Sequence, residues 1–469
     1  MNNQMHTETA LRSASPAGKT GGAENVLDPA AEFRGSQQAA GLLMRLFRRY
    51  PQRLTLRLWD GTTIIAGSGN ASQSPFTLVF RTPEAVWSTV LGSDPLALAD
   101  AYFRGELDIE GDFFAALSIK DHLDVLQMPR GEKLLAAATA LHLRLVNAAA
   151  HHSGRLFAPS DAPRIKAHSK AENREAIHFH YDVSNDFYAL WLDRAMVYAC
   201  AYFETPDVDL DSAQAAKLEH ICRKLSLKPG EKFLDIGCGW GALVIHAAHH
   251  YGVHAHGVTL SPQQLNVARE RIARAGLGGR VSVELLDYRD LPGEASYDKV
   301  ASVGMFEHVG LKNLPVYFST VHRLLKSGGL FLNHGITHDS EGWEPSVSTE
   351  FINRYVFPDG QLDTISNVQR VMERSKFEIA DVEALRPHYA MTLRHWVARL
   401  EGNRALALQY VNEATYRVWR LYMAACALQF ESGEIGIYQV LASKRAVGMP
   451  DLPLTRRHLY QQGNAQTDS

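Results

Sequence analysis

The chain has little that could hold it together covalently. Its 469 residues include four cysteines, Cys200, Cys222, Cys238 and Cys426, and no two form a Cys-x-x-Cys pair. That argues against a disulfide framework or a cysteine-rich zinc site, and it fits a reducing cytoplasm. No run of about 18 apolar residues occurs, so no membrane span is expected. Neither sign of charge is in excess. The net charge is -3 and the pI about 6.7, which leaves no bulk pull toward nucleic acid. No internal repeat is found. Residues 1–37 are polar and rich in Ala, Gly, Ser and Thr, and they lack the apolar centre of a signal peptide. They read as a disordered tail.

What is present is globular. Hydrophobic residues make up 46% and charged residues 21% of the chain, and the length exceeds one typical core. Two domains are therefore expected. The first spans residues 38–150. Gln38 to Arg49 has Leu42, Leu43, Leu46 and Phe47 at helical spacing. Arg53 to Trp59 alternates like a strand and runs into the turn pair Asp60-Gly61. Thr77 to Arg81 reads as a second strand, Asp94-Pro95 as a helix opening, and Gly105 to Gly111 as a short turn or strand. Arg45, Arg48, Arg49, Arg53 and Arg57 form a basic cluster mixed with Leu42, Leu46, Phe47 and Trp59. Two readings stand: a solvated helix face, or a contact with an anionic membrane surface. Residues 151–174 are polar and basic and read as a linker. Residues 446–469 read as a polar tail.

The second domain, residues 175–445, is built around Phe233-Leu-Asp-Ile-Gly-Cys-Gly-Trp-Gly241. The apolar run ending in Asp235 reads as a buried parallel strand. Gly237, Gly239 and Gly241 make a tight turn into a helix with Leu243, Val244, Ala247 and Ala248 on one face. Such a turn lets a nucleotide-like ligand lie close to backbone. A dinucleotide site would need a later third glycine and an acidic residue about 20 positions on. The next strand ends in Thr259-Leu-Ser261 instead. The spacing resembles motif I of S-adenosylmethionine-dependent methyltransferases.

Further strands are expected at His254 to Val258, Arg280 to Leu286, Tyr297 to Val303 and Gly329 to Asn333. Alternation with helices implies a parallel α/β sheet. Asp235, Thr259, Asp287, Glu307 and His334 stand at or just past the expected strand ends, where such sheets bind ligands. His246, His249, His250, His254 and His256 fall on a helix face and a strand, without a metal-ligand spacing, so no metal is expected. Val397 to Phe430 reads as long helices.

Several longer motifs agree. Tyr198-x-Cys-Ala-Tyr, Gly-Val-Thr-Leu-Ser261, Asp287-Tyr-Arg-Asp-Leu and Val303-Gly-Met-Phe-Glu-His-Val-Gly310 occur in order with motif I. Tyr355-Val-Phe-Pro-Asp-Gly360 and His388-Tyr-Ala-Met-Thr-Leu393 follow. Together they resemble the cyclopropane fatty acid synthases, over roughly Ala39 to Ser443. The resemblance implies a Rossmann-like methyltransferase domain behind a smaller α+β N-terminal domain. It implies methyl transfer from S-adenosylmethionine to the cis double bond of an acyl chain in a membrane phospholipid. The alkene is a poor nucleophile, so the sulfonium must be held in line. Loss of a proton from the new methyl then closes the ring, and water must be kept out.

The same resemblance implies bicarbonate as the base, held at Cys200, Glu307, His334, Ile336 and Tyr389. Cys200 and Ile336 would offer mainly backbone groups, and Tyr389 a hydroxyl. A carboxylate beside bicarbonate makes sense if the two share a proton. Around S-adenosylmethionine it places Tyr198, Ala199, Asp235, Gly237, Gly239, Thr259, Leu260, Gln264, Asp287 and Tyr288, with Tyr288 stacking on adenine. Many relatives have Ser at the position of Ala199, so one polar contact is missing here. Thr337 to Asp359, with Trp343, Phe351, Tyr355 and Phe357, should cover the acyl channel. The family also implies a homodimer and peripheral contact with the inner face of the membrane. A sister chemistry, ending in a methyl branch or methylene or acting on another lipid or a small amine, shares the same motifs.

Overall fold

The computed structural model describes residues 29–69, 74–91, 96–122, 131, 138, 183–341, 347–356, 360–448 and 452–460. The expected linker at 151–174 lies outside the described residues.

The N-terminal part closes a small sheet of four strands, β1 (Leu54–Arg57), β2 (Thr63–Ala66), β3 (Phe76–Phe80) and β4 (Leu107–Gly111), in the order β2-β1-β3-β4. Asp60-Gly61 turns β1 back onto β2: Gly61 has φ +85°, and the Asp60 carboxylate accepts the Thr62 N–H at 2.9 Å. The first helix is longer than its apolar pattern suggested. It spans Pro29–Phe47 and so begins inside the segment read as a tail. Leu42, Leu43, Leu46 and Phe47 are buried in the core under the sheet. Those apolar residues are therefore not offered to a membrane, while Arg45, Arg48 and Arg49 are exposed.

The second sheet has seven strands: β5 (Lys232–Ile236), β6 (His254–Thr259), β7 (Val281–Leu285), β8 (Tyr297–Val303), β9 (Leu325–His338), β10 (Phe377–Ala384) and β11 (Ile435–Lys444). Their order is β10-β11-β9-β8-β5-β6-β7. From β9 to β7 every pair is parallel; β11 runs antiparallel to both β9 and β10. The fold is a Rossmann-like α/β domain with a smaller α+β N-terminal part. β5 is central, and the chain order reverses there, which opens a crevice at the strands' carboxyl ends. Gly237, Gly239 and Gly241 have φ of +82°, +53° and +83°, a left-handed turn open to glycine at little cost. The helix Ala242–Tyr251 follows, with Leu243, Val244, Ala247 and Ala248 buried as its periodicity required.

Two readings are corrected. β9 runs on to His338 because β11 pairs beside it, so His334 lies within a strand opposite Gln439 rather than just past one. Part of the C-terminal tail packs: Leu459 of the short helix Arg457–Tyr460 is buried, its carbonyl accepts from Arg223, and Arg456 pairs with Asp381.

The two parts of the chain meet along the helices Ala97–Phe103 and Glu413–Ser432. Arg417, 8% exposed, donates to the main-chain carbonyls of Tyr102 and Leu107 at 3.0 and 3.2 Å. Phe103 packs edge-on to Tyr355 with ring centroids 5.0 Å apart, and the Tyr355 hydroxyl bonds Asp100.

Candidate active site

The crevice over β5 is a cavity of about 160 Å3. It is lined by Asp235, Gly237 and Gly239 at or after the end of β5, by Thr259, Leu260 and Gln264 at or after the end of β6, and by Asp287 and Tyr288 after β7. Tyr198 and Ala199 cover it. All ten residues that the sequence assigned to the methyl donor thus line one cavity. Thr259 donates to the Gln264 carbonyl oxygen at 2.8 Å, which leaves the Gln264 amide nitrogen as its donor end. The Asp287 carboxylate is held by Arg289 through both oxygens, at 2.8 and 2.6 Å, so it orders the wall around Tyr288. Asp235 is 3% exposed, and its Oδ1 meets no partner among the described residues. Burial pushes its carboxyl up to about 7, with the Lys217 charge opposing.

Lys217 escaped the sequence reading. It is 2% exposed, lines the same cavity, and burial lowers its ammonium to about 8 against the pull of Asp193, Cys200 and Asp235. A lysine in a helix is normally solvated. The one clue was its place in the helix Leu210–Lys224, three residues after Gln214. Gln214 donates to the carbonyls of Val197 and Ala199 at 3.3 and 2.8 Å. Thr392 accepts the Ala201 N–H, and His388 Nδ1 accepts that of Phe203, both at 3.0 Å. These bonds fix the covering segment.

A second cavity, about 370 Å3, adjoins the first; Tyr198, Ala199, Gly304 and His308 line both. Cys200, Glu307, His334, Ile336 and Tyr389 all line this second cavity. Glu307 sits in the turn after β8. Its Oε1 accepts the Ile336 N–H at 2.8 Å, and its Oε2 is buried without a partner among the described residues. Burial raises its carboxyl above the ordinary range, against that N–H bond. His334 is 1% exposed. Burial, with the charges of Lys217 and Lys224, holds it well below its ordinary value, so the ring is neutral. Gln439 donates to Nδ1 at 3.1 Å, which puts the ring proton on Nε2, and Nε2 is buried without a partner among the described residues. Tyr389 packs on Phe430 at 4.7 Å. The Cys200 thiol contacts the Ala201 carbonyl at 3.2 Å, and burial pushes its pKa far up. The expectation for Ile336 changes in one respect: its N–H is occupied in positioning Glu307.

Of the expected channel cover, residues 342–346 and 357–359 lie outside the described residues. In the helix Val347–Tyr355, Ile352 reaches the second cavity, while Phe351 and Tyr355 pack toward Phe103.

A glycine turn after β5, with a partly open cavity over it and a second, largely apolar one beyond, is the architecture of an S-adenosylmethionine-dependent methyltransferase, and the chain is an enzyme of this class. It belongs to the family described as Mycolic acid cyclopropane synthetase, which matches residues 168–440. A "Probable fatty acid methyltransferase" of Pseudomonas putida is 41% identical over 414 residues, covering 87% of this chain and 96% of its own. The "Cyclopropane-fatty-acyl-phospholipid synthase" of Escherichia coli (strain K12) is 40% identical over 265 residues, 56% of this chain and 66% of its own. Among solved structures, mycolic acid cyclopropane synthase CmaA1 complexed with SAH and CTAB superposes with a TM-score of 0.55. It is 34% identical and covers 58% of this chain and 98% of its own.

Proposed function

We propose that the enzyme methylates the cis double bond of unsaturated acyl chains in membrane phospholipids and closes the product to a cyclopropane. The observation that carries this reading is the pair of cavities joined at Tyr198, Ala199, Gly304 and His308. One fits a sulfonium donor over a glycine turn. The other presents apolar walls plus two buried polar atoms, Glu307 Oε2 and His334 Nε2. S-adenosylmethionine supplies an electrophilic methyl when bound. Asp235, Gln264 and Tyr288 would hold it, with a carboxyl, an amide donor and a ring respectively. Leu393, Ile435 and Ile437 help to keep water from a developing cation.

The residues present suit bicarbonate. Neutral His334 has a donor at Nε2. Glu307, raised in pKa, can carry the shared proton and donate through Oε2, and Tyr389, which lines the same space, would offer its hydroxyl. The ion would supply a base beside the new methyl. Peripheral membrane contact is part of the proposal, with exposed Arg45, Arg48 and Arg49 as one candidate face.

The test is incubation of the purified protein with labelled S-adenosylmethionine and unsaturated phospholipid vesicles, with bicarbonate present or removed. Label in a ring-bearing chain, and a rate that falls without bicarbonate, would support the reading. The name of the Pseudomonas putida relative favours a second reading, a methyl-branched product. Label in a branched chain without a ring would establish it and discard ring closure.

A further inference from the structure

A third cavity, about 190 Å3, lies beyond the second and shares Ile352, Tyr422, Cys426 and Gln429 with it. Its far wall comes from the N-terminal part: Leu96, Leu98, Ala99, Leu107, Ile109 and Leu117. All six lie outside the residues that match the family. We propose that the methyl-terminal segment of the acyl chain runs from the reacting cavity into this pocket. The N-terminal part would then set how much chain fits beyond the double bond. This rests on the acyl-chain reading above and adds to it which end of the chain goes where.

The chemistry of the lining selects that end. Among its polar side chains, Lys120 is held by Asp121 at 2.5 Å and Glu434 at 3.4 Å. Gln429 donates to Glu434 at 3.2 Å, the Tyr102 hydroxyl accepts from Arg420 at 3.1 Å, and Tyr422 bonds the Cys426 thiol. Each is engaged within the protein, so a phosphate or ester would give up its hydration for little in return. Methylenes give up nothing there and bury area. The pocket's length is also fixed. Arg417 clamps the Tyr102 and Leu107 carbonyls, and Phe103 packs on Phe351 and Tyr355.

Ala99 and Ala425 face the pocket from opposite sides of the joint and line neither of the other two cavities. The test compares wild type with Ala99→Leu and Ala425→Leu. Substrates are vesicles of phospholipids with acyl chains of one length and the cis double bond at two positions, nearer to or farther from the methyl end. Cofactor affinity is measured alongside. With less room, both variants should turn away from chains with the longer methyl-terminal segment. The ratio of rates should shift about tenfold, as one or two methylenes in a tight pocket do. An unchanged ratio in variants that still bind the cofactor and transfer label would overturn this inference alone. So would an equal fall on both substrates, which would point to an entry route or to damaged structure. If wild type labels no acyl chain at all, the acyl-chain reading itself falls and takes this one with it.

Discussion

Replacing Glu307 by Gln separates chemistry from scaffold. The substitution keeps the shape and the Oε1 that accepts the Ile336 N–H at 2.8 Å, so the turn after β8 should hold. What it removes is a proton that can be shared at Oε2. A positioned acid or base is worth about 10²–10⁴ in rate, or roughly 3–5.5 kcal/mol of barrier. Turnover in the labelled-vesicle assay should fall by that range. Affinity for S-adenosylmethionine, measured by calorimetry, should stay within about threefold, since Glu307 lines the second cavity and not the first. The pH dependence of stability gives a separate check. Burial raises the folded-state value of Glu307 above its unfolded one. Its contribution is therefore full below the ordinary glutamate range and is lost as pH rises through the raised value. The stability of wild type, measured by denaturation, should fall relative to Glu307→Gln over that rise. Cofactor affinity falling in step with turnover would refute the argument and make Glu307 a structural residue.

Three further outcomes are expected. The folded-state value of Asp235 is about 7, above its ordinary 3.8, so its stability contribution is present below pH 4 and lost by about pH 7. Urea unfolding should show wild type losing ground to Asp235→Asn across that window, and a flat difference would contradict it. A Cβ on Gly335 would fall 1.8 Å from Cε1 of the buried Phe306, next to Glu307. Gly335→Ala should cost about 1–3 kcal/mol by overpacking and lower turnover while the cofactor still binds; unaltered turnover would show the turn to be slack. Cys200→Ala should keep activity within about fivefold, and alkylating reagents should leave wild type active, because a thiol so raised in pKa is no nucleophile. Complete loss in a folded variant would count against this.

The catalytic sheet was legible where short apolar runs ended in a polar residue. β5 to β8 each matched such a run to within a residue or two. Asp235, Thr259 and Asp287 were legible as candidates for the same reason, since a parallel sheet delivers consecutive strand ends to one crevice, whereas Tyr198, Leu260, Gln264 and Tyr288 came only from the family resemblance. β10 was not, because Phe-Glu-Ile-Ala-Asp-Val-Glu-Ala384 is an edge strand whose acidic residues read as surface. β11 was hidden behind a helical run that ends at Ser432. With β11 unseen, His334 read as lying past the end of a strand, and the role of Gln439 in setting its tautomer was beyond reach. Lys217 and Arg417 shared another blind spot. A basic residue in a helix is presumed to face water, and nothing local shows that one lies under a cofactor cavity and the other against backbone carbonyls.

Arg417 has a consequence for how this enzyme can change. Its guanidinium reads the carbonyl oxygens of Tyr102 and Leu107, groups that every sequence possesses. Those two bonds would survive side-chain changes on the neighbouring helix and on β4, whereas the pair of Arg417 with Asp108 and its contact with the Tyr102 ring would not. The clamp thus has one half that is indifferent to composition and one half that is not, so an N-terminal part exchanged from a relative should seat in the same place only where it keeps the partners of Arg417, Arg420 and Tyr355.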